Sequence, residues 1–145
     1  MTPNIRKNEP IEIIVVDSDK FIVELTNMLF DIVNVEHKEF IGFNYPTDAL
    51  NYLRKCEDKT PKLILLETID NSGQHDFSFF DKYSFLERND FIYVITISID
   101  KRDKTKCLSY EFVRKYIDKP LDEENIREMV KEHGLTIKEK NNDAD

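Results

Sequence analysis

Polar residues of a few chemical types stand directly behind the apolar runs of this chain. Residues 11–16 run into Asp17-Ser18-Asp19, and residues 63–66, Leu-Ile-Leu-Leu, run into Glu67. Residues 91–97 carry Thr96 and are followed by Ser98, and Tyr116-Ile117 comes shortly before Lys119-Pro120. Carboxylates such as Asp17 and Glu67 can hold a hard cation, which takes oxygen ligands. A buried carboxylate without a cation or a hydrogen-bond donor is costly, so Glu67 needs a partner, and Lys119 is the candidate. The chemistry therefore depends on whether Asp17, Glu67, Thr96 and Lys119 meet.

They meet if the apolar runs are strands of one parallel sheet. A run as short and unbroken as 63–66, entered through Pro61 and closed by an acid, fits a strand buried on both faces. Residues 11–16 and 91–97 read alike. A weaker strand around 39–43 alternates more and carries Gly42, which suits an edge. Between strands lie helical patterns. Phe21, Ile22, Leu25, Met28, Leu29 and Ile32 share a helical face, which predicts a helix that buries them and ends near Val33-Asn34. Asp17, Ser18 and Asp19 offer N-cap oxygens for it. Pro46 opens a short second helix. Phe77, Phe80 and Phe85 suggest a third, residues 100–110 a charged fourth with Cys107 and Leu108 inward, and Asp122 caps a fifth that Gly134 stops. Strand and helix alternate five times, which implies a parallel sheet with helices on both faces and right-handed crossovers. In such a sheet all four polar strand ends point to one edge, where open α/β sheets place their sites.

Composition narrows the classes. The chain has 145 residues, enough for one domain with a real core. Its net charge of −8 argues against a nucleic-acid face, which would be basic. No stretch is long enough to span a bilayer, and the first ten residues lack a signal-peptide core. Cys56 and Cys107 show no pairing or metal-ligand spacing, as in a reducing compartment, so the expected location is the cytoplasm. The expected organisation is a flexible leader over 1–9, a domain over 10–133 and a charged, fraying tail over 134–145.

The strand ends resemble the receiver domain of two-component response regulators, over roughly residues 10–133. Val15-Val16-Asp17-Ser18-Asp19 matches the family's acidic pair after the first strand. Residues 63–67 match the strand that ends in the phosphorylated Asp, Ile95-Thr96 the strand that ends in Thr or Ser, and Lys119-Pro120 the motif after the last strand. Tyr116 matches the aromatic residue three positions before that Lys. The resemblance implies a flavodoxin-like doubly wound sheet of five parallel strands in the order 2-1-3-4-5. It also implies a switch role for Thr96 and Tyr116.

Departures from the pattern bear on the chemistry. Glu67 occupies the phosphoacceptor position, Ser18 replaces the second acid, and Ile97 follows Thr96 where the family prefers a small residue. Phosphoryl transfer to a carboxylate needs an in-line acceptor and a divalent cation. Asp17, Glu67 and the backbone carbonyl of Ile69 are the oxygens left to hold Mg²⁺, and Ser18 removes one charge from the set. Glu67 is one methylene longer than Asp, which shifts its carboxylate by ~1 Å, enough to cost on the order of a hundredfold in rate. The expectation is weak Mg²⁺ binding and little phosphorylation. The longer side chain can also reach toward Thr96 and Lys119, where a phosphoryl group would otherwise sit.

The leading functional reading is a stand-alone, phosphorylation-impaired receiver-like signalling domain of a two-component or phosphorelay system, acting through protein–protein contacts rather than as an enzyme. By analogy with the family its partner surface is residues 101–133. Its partners would be a histidine kinase, a phosphotransfer protein, another signalling protein or a second copy, with no nucleic acid or membrane involved. One alternative is a receiver with residual Mg²⁺-dependent phosphotransfer and autodephosphorylation. Another is a flavodoxin-like small-ligand binder. The chain's 3 glycines form no phosphate loop, which disfavours a nucleotide or flavin. His37, His75 and His133 receive no ligand role.

Overall fold

The computed structural model describes residues 10–139. Strands β1 (Ile11–Val16), β2 (His37–Phe43), β3 (Leu63–Leu66), β4 (Phe91–Thr96) and β5 (Val113–Asp118) alternate with helices α1 (Lys20–Val33), α2 (Pro46–Lys55), α3 (Ser78–Tyr83), α4 (Lys101–Leu108) and α5 (Glu123–His133). All strand pairs are parallel, in the order β2-β1-β3-β4-β5. β1, β3 and β4 are buried along their whole length, which is why their sequences do not alternate. β2, at the edge, is nowhere fully buried. Gly42 lies in it because α1 crosses close above: a Cβ there would collide with the Val23 side chain.

Successive side chains of the central strands feed two separate cores. Ile13, Val15, Leu63, Leu65 and Tyr93 pack with Phe30 and Val33 of α1 and Ile126 and Met129 of α5. Ile14, Val16, Ile64, Leu66, Ile92 and Val94 pack with Ala49, Leu50 and Leu53 of α2, Phe79 and Phe80 of α3 and Cys107 of α4. The register keeps the carboxyl ends level. Val16 lies beside Leu66, Leu66 beside Val94, and Thr96 beside Asp118, so Asp17, Glu67, Thr96 and Lys119 all arrive at one edge.

The structure corrects three expectations. The face of α1 that reaches the core is Thr26, Phe30 and Val33, not the stripe picked out by periodicity. Phe21, Leu25, Met28 and Ile32 are 53–66% exposed, with Ile22 and Leu29 only half-buried. The helix is apolar on two sides, and the sheet and α5 select the narrower one. Phe85 lies beyond the end of α3 and is exposed, and Leu108 is 43% exposed while its neighbour Cys107 is buried. The tail does not fray at its start. Ile137 bridges Val35 in antiparallel fashion, the Glu36 amide donates to the Thr136 carbonyl at 2.7 Å, and the Lys138 amide donates to the Asn34 carbonyl at 2.8 Å. Asn34 makes this possible by ending α1 in the left-handed conformation, φ 65°. The leader over 1–9 and the last residues of the tail, 140–145, lie outside the described residues.

Both cysteines are free. Burial, followed by the negative charges of Asp103 and Glu67, pushes the Cys107 thiol up to about 11. The thiolate is the reactive form. A disulfide reagent at pH 8 should therefore label half-buried Cys56 first and leave Cys107 unlabelled until denaturant is added, as peptide mapping would show. Equal labelling of both in the native protein would contradict this packing of α4.

Candidate functional site

Asp17 is held in place before it meets any other side chain. Its amide donates to the Phe43 carbonyl at 3.0 Å, extending the β1–β2 ladder by one residue. Its own carbonyl accepts from Asn44 Nδ2 at 2.9 Å. Oδ1 accepts from the Asp19 amide at 2.9 Å, while Asp19 caps α1 by accepting from the Phe21 amide at 2.9 Å. So Asp19 is a cap, and Asp17 points its remaining oxygen, Oδ2, at Lys119 Nζ, 2.7 Å away.

Glu67 is similarly placed by the Val16 carbonyl, which accepts its amide at 2.9 Å. Its Oε1 accepts two hydrogen bonds, from the Thr96 hydroxyl at 2.7 Å and the Ile69 amide at 2.9 Å. Its Oε2 lies 3.1 Å from Lys119 Nζ. That approach is close enough for charge attraction but lacks hydrogen-bond alignment, so the buried oxygen has no hydrogen-bond partner. One ammonium thus sits between two buried carboxylates. The Glu67–Lys119 pairing expected from sequence is present, and Asp17 shares it. Burial alone would lower the Lys119 pKa; the Asp17 hydrogen bond and the charges of Asp17 and Glu67 outweigh it and raise the pKa above its ordinary value.

Thr96 is completely buried, and its oxygen accepts from the Ser98 amide at 3.1 Å while its hydroxyl proton goes to Glu67. Tyr116, half-buried on β5 beside Val94, reaches the Ser98 carbonyl with its hydroxyl at 3.4 Å. Ile69 lines the approach to Glu67, a cavity of about 410 Å³ that also touches Asp17, Ser18, Asn44 and Tyr45.

The sequence did not reveal an outer ring. Ser98 Oγ donates to Asp103 Oδ2 at 2.7 Å, and His75 Nε2 lies 2.6 Å from the same oxygen. His75 Nδ1 is 3.2 Å from the Thr68 hydroxyl. His75 therefore clips the loop after β3 to the first turn of α4. Ser98 was visible as a strand-end hydroxyl. His75 and Asp103 carry no sequence signal, because they meet only through tertiary placement.

The oxygens that the sequence offers to Mg²⁺ are engaged within the protein. Mg²⁺ demands near-octahedral oxygen ligation. Each of the two carboxylates is already engaged by Lys119, Ser18 supplies a neutral oxygen where a third charge is wanted, and no group of three His, Cys, Asp or Glu side chains is gathered for a metal among the described residues. Ile69, whose backbone carbonyl is the third candidate oxygen, donates its amide to Glu67 Oε1 at 2.9 Å.

No protein-family model and no curated protein sequence matches the chain. Solved structures do. A response regulator receiver protein from Dyadobacter fermentans superposes with a TM-score of 0.73 at 21% identity, covering 87% of this chain and 99% of that one. A two-component response regulator from Cytophaga hutchinsonii gives 0.72 at 17% identity, covering 86% and 97%. A CheY-like receiver domain protein from Methanospirillum hungatei gives 0.69 at 17% identity, covering 86% and 94%. The chain has the flavodoxin-like fold of response regulator receiver domains, in the strand order expected. Among the described residues no helix is long and apolar enough to cross a membrane.

Proposed function

We propose that this domain is a phosphorylation-impaired receiver-type signalling module of a two-component or phosphorelay pathway, acting by binding other proteins. The observation that carries the reading is the fixed state of Glu67. Its carboxylate is bonded to Thr96 and Ile69 and faces Lys119, so the groups that would hold a phosphoryl oxygen are occupied by the side chain itself. The Glu67 carboxylate thereby stands in, at −1 rather than roughly −2, for a phosphorylated acid. Thr96 and Tyr116 would be held in the conformation that this charge selects. Mg²⁺ binding is weak on this reading, since the ion must displace Lys119 from Asp17 and Glu67. Histidine kinases and phosphotransfer proteins are the partner class the fold suggests.

The test is acylphosphate labelling in Mg²⁺, read by intact mass. Wild type should gain no phosphoryl group. Glu67→Asp, which shortens the acceptor and frees Thr96, should be labelled about a hundredfold faster than any wild-type background. A stable, acid-labile adduct on Glu67 of the wild type, formed as fast as in the variant, would overturn the reading.

A further inference from the structure

We infer that the cavity in front of Glu67 binds an aliphatic diamine, with one ammonium at its buried floor and the other at its rim. The inference goes beyond the reading of this domain as a phosphorylation-impaired module and does not depend on it.

The cavity, about 410 Å³, lies between the entry to α2 and the loop after β3. That is the size of a small-molecule site and far more than one ion fills. Four carboxylates line it: Asp17, Glu67, Asp70 and Asp76. Among the described residues no Lys, Arg or His lines it. Lys119 reaches Asp17 and Glu67 but is not part of the lining. Walls of one charge sign concentrate ligands of the other, so the occupant is a cation.

The acids stand at two levels. Asp17 and Glu67 are buried, whereas Asp70 and Asp76 are exposed. At the floor, Glu67 is 7% exposed and its Oε2 has no hydrogen-bond donor. A buried acceptor in that state is costly, and the missing donor is what an ammonium at the floor would add. At the rim, Asp70 accepts from the Ser72 hydroxyl and from the Ser72 and Gln74 amides, all on Oδ1. The Ser72 hydroxyl above all holds the Asp70 carboxyl below its ordinary range, so it stays ionised. Asp76 accepts from the Ser78 amide on Oδ1 at 2.9 Å. Both rim residues thus keep Oδ2 without a hydrogen bond among the described residues.

The two levels select the ligand. No three His, Cys, Asp or Glu side chains gather for a metal among the described residues, so the four charges are spread along the walls rather than aimed at one point. Two ammonium groups joined by a short chain match such a spread. Tyr45, Pro46 and Ile69 supply apolar lining for the methylenes between them. The Tyr45 ring, 60% exposed, also offers a face to a cation.

The probe is cadaverine, a linear aliphatic diamine, with pentylamine and the diol of the same length as controls. Each is titrated into the full chain at about 0.15 M salt, which screens loose surface attraction. Calorimetry gives the affinity, and amide shifts give the place. Cadaverine should bind saturably and shift the amides of residues 44–47 and 67–76. Pentylamine and the diol should each bind about tenfold more weakly or worse. Asp70→Asn with Asp76→Asn keeps both Oδ1 acceptors and removes both rim charges. Circular dichroism should therefore be unchanged in that double variant, while cadaverine affinity falls about tenfold or more. Absence of saturable binding, equal affinity for either control, or full affinity in the double variant would overturn the inference. So would displacement of cadaverine by an equal concentration of Mg²⁺, which would make the cavity a site for a simple ion. Cadaverine binding is read without phosphoryl labelling, so either reading can fail alone.

Discussion

Lys119→Met should destabilise the protein by about 3–5 kcal/mol at pH 7, the usual cost of removing one member of a buried ion pair. Methionine keeps the length of the side chain and removes its charge. Asp17 and Glu67, 5% and 7% exposed, would then face each other with no cation between them. Asp17 Oδ2 would lose its donor at 2.7 Å, and Glu67 Oε2, already without a hydrogen bond, would lose its only charge partner at 3.1 Å. The pH dependence should change form. In wild type the Lys119 pKa is raised on folding, so its contribution is fully present below the unfolded value of about 10.4 and disappears as pH rises through the folded value. The wild type should therefore show an alkaline loss of stability that the variant lacks. Glu67→Gln added to Lys119→Met should recover part of the loss by removing one of the opposed charges. Urea unfolding across this pH range measures all three. A loss of less than about 1 kcal/mol would mean that the ammonium is not what holds the pocket together.

The same physics decides which features could be read from the chain. β1, β3 and β4 were legible because a strand covered on both faces must be apolar throughout. Their polar stops were legible because a parallel sheet collects its strand ends at one edge. Glu67 and Lys119 could be paired in advance because a buried carboxylate must find a partner. The buried face of α1 could not be chosen, because the sequence gives that helix two apolar sides and says nothing of which meets the sheet. The start of the tail looked like solvated charge, yet backbone bonds at Asn34 and Glu36 pin it, and backbone pairing leaves no trace in side-chain pattern. His75 and Asp103 were invisible because each belongs to a different loop or helix.

Asp90→Ala should cost about 3–5 kcal/mol and lower Tm by roughly 10–20 °C, although Asp90 is far from the pocket, at the amino end of β4. Sequence reasoning passed it over, since an Arg-x-Asp spacing has no signature. Its carboxylate organises that end of the sheet. Oδ1 accepts from the Lys62 amide at 2.8 Å and from Arg88 Nη2 at 3.0 Å, and Oδ2 accepts from Arg88 Nε and the Tyr83 hydroxyl, each at 2.8 Å. The paired side chains of Arg88 and Asp90 are both out of contact with solvent. Arg88 in turn donates to the carbonyl of Asp58 at 3.1 Å, tying the loop before β3 to the loop before β4. Alanine at 90 would leave a buried guanidinium without an anion, a buried amide without an acceptor and Tyr83 without its hydrogen-bond acceptor. Pairing Asp90→Ala with Arg88→Met should restore more than half the loss, because a buried ion pair is itself expensive and an apolar replacement removes both desolvation costs together. The cycle of single and double variants, measured by urea unfolding, separates the pair's coupling from the cost of orphaning one member. If Asp90→Ala alone costs under about 1 kcal/mol, the network is ornamental and the β3–β4 junction is held by its apolar core.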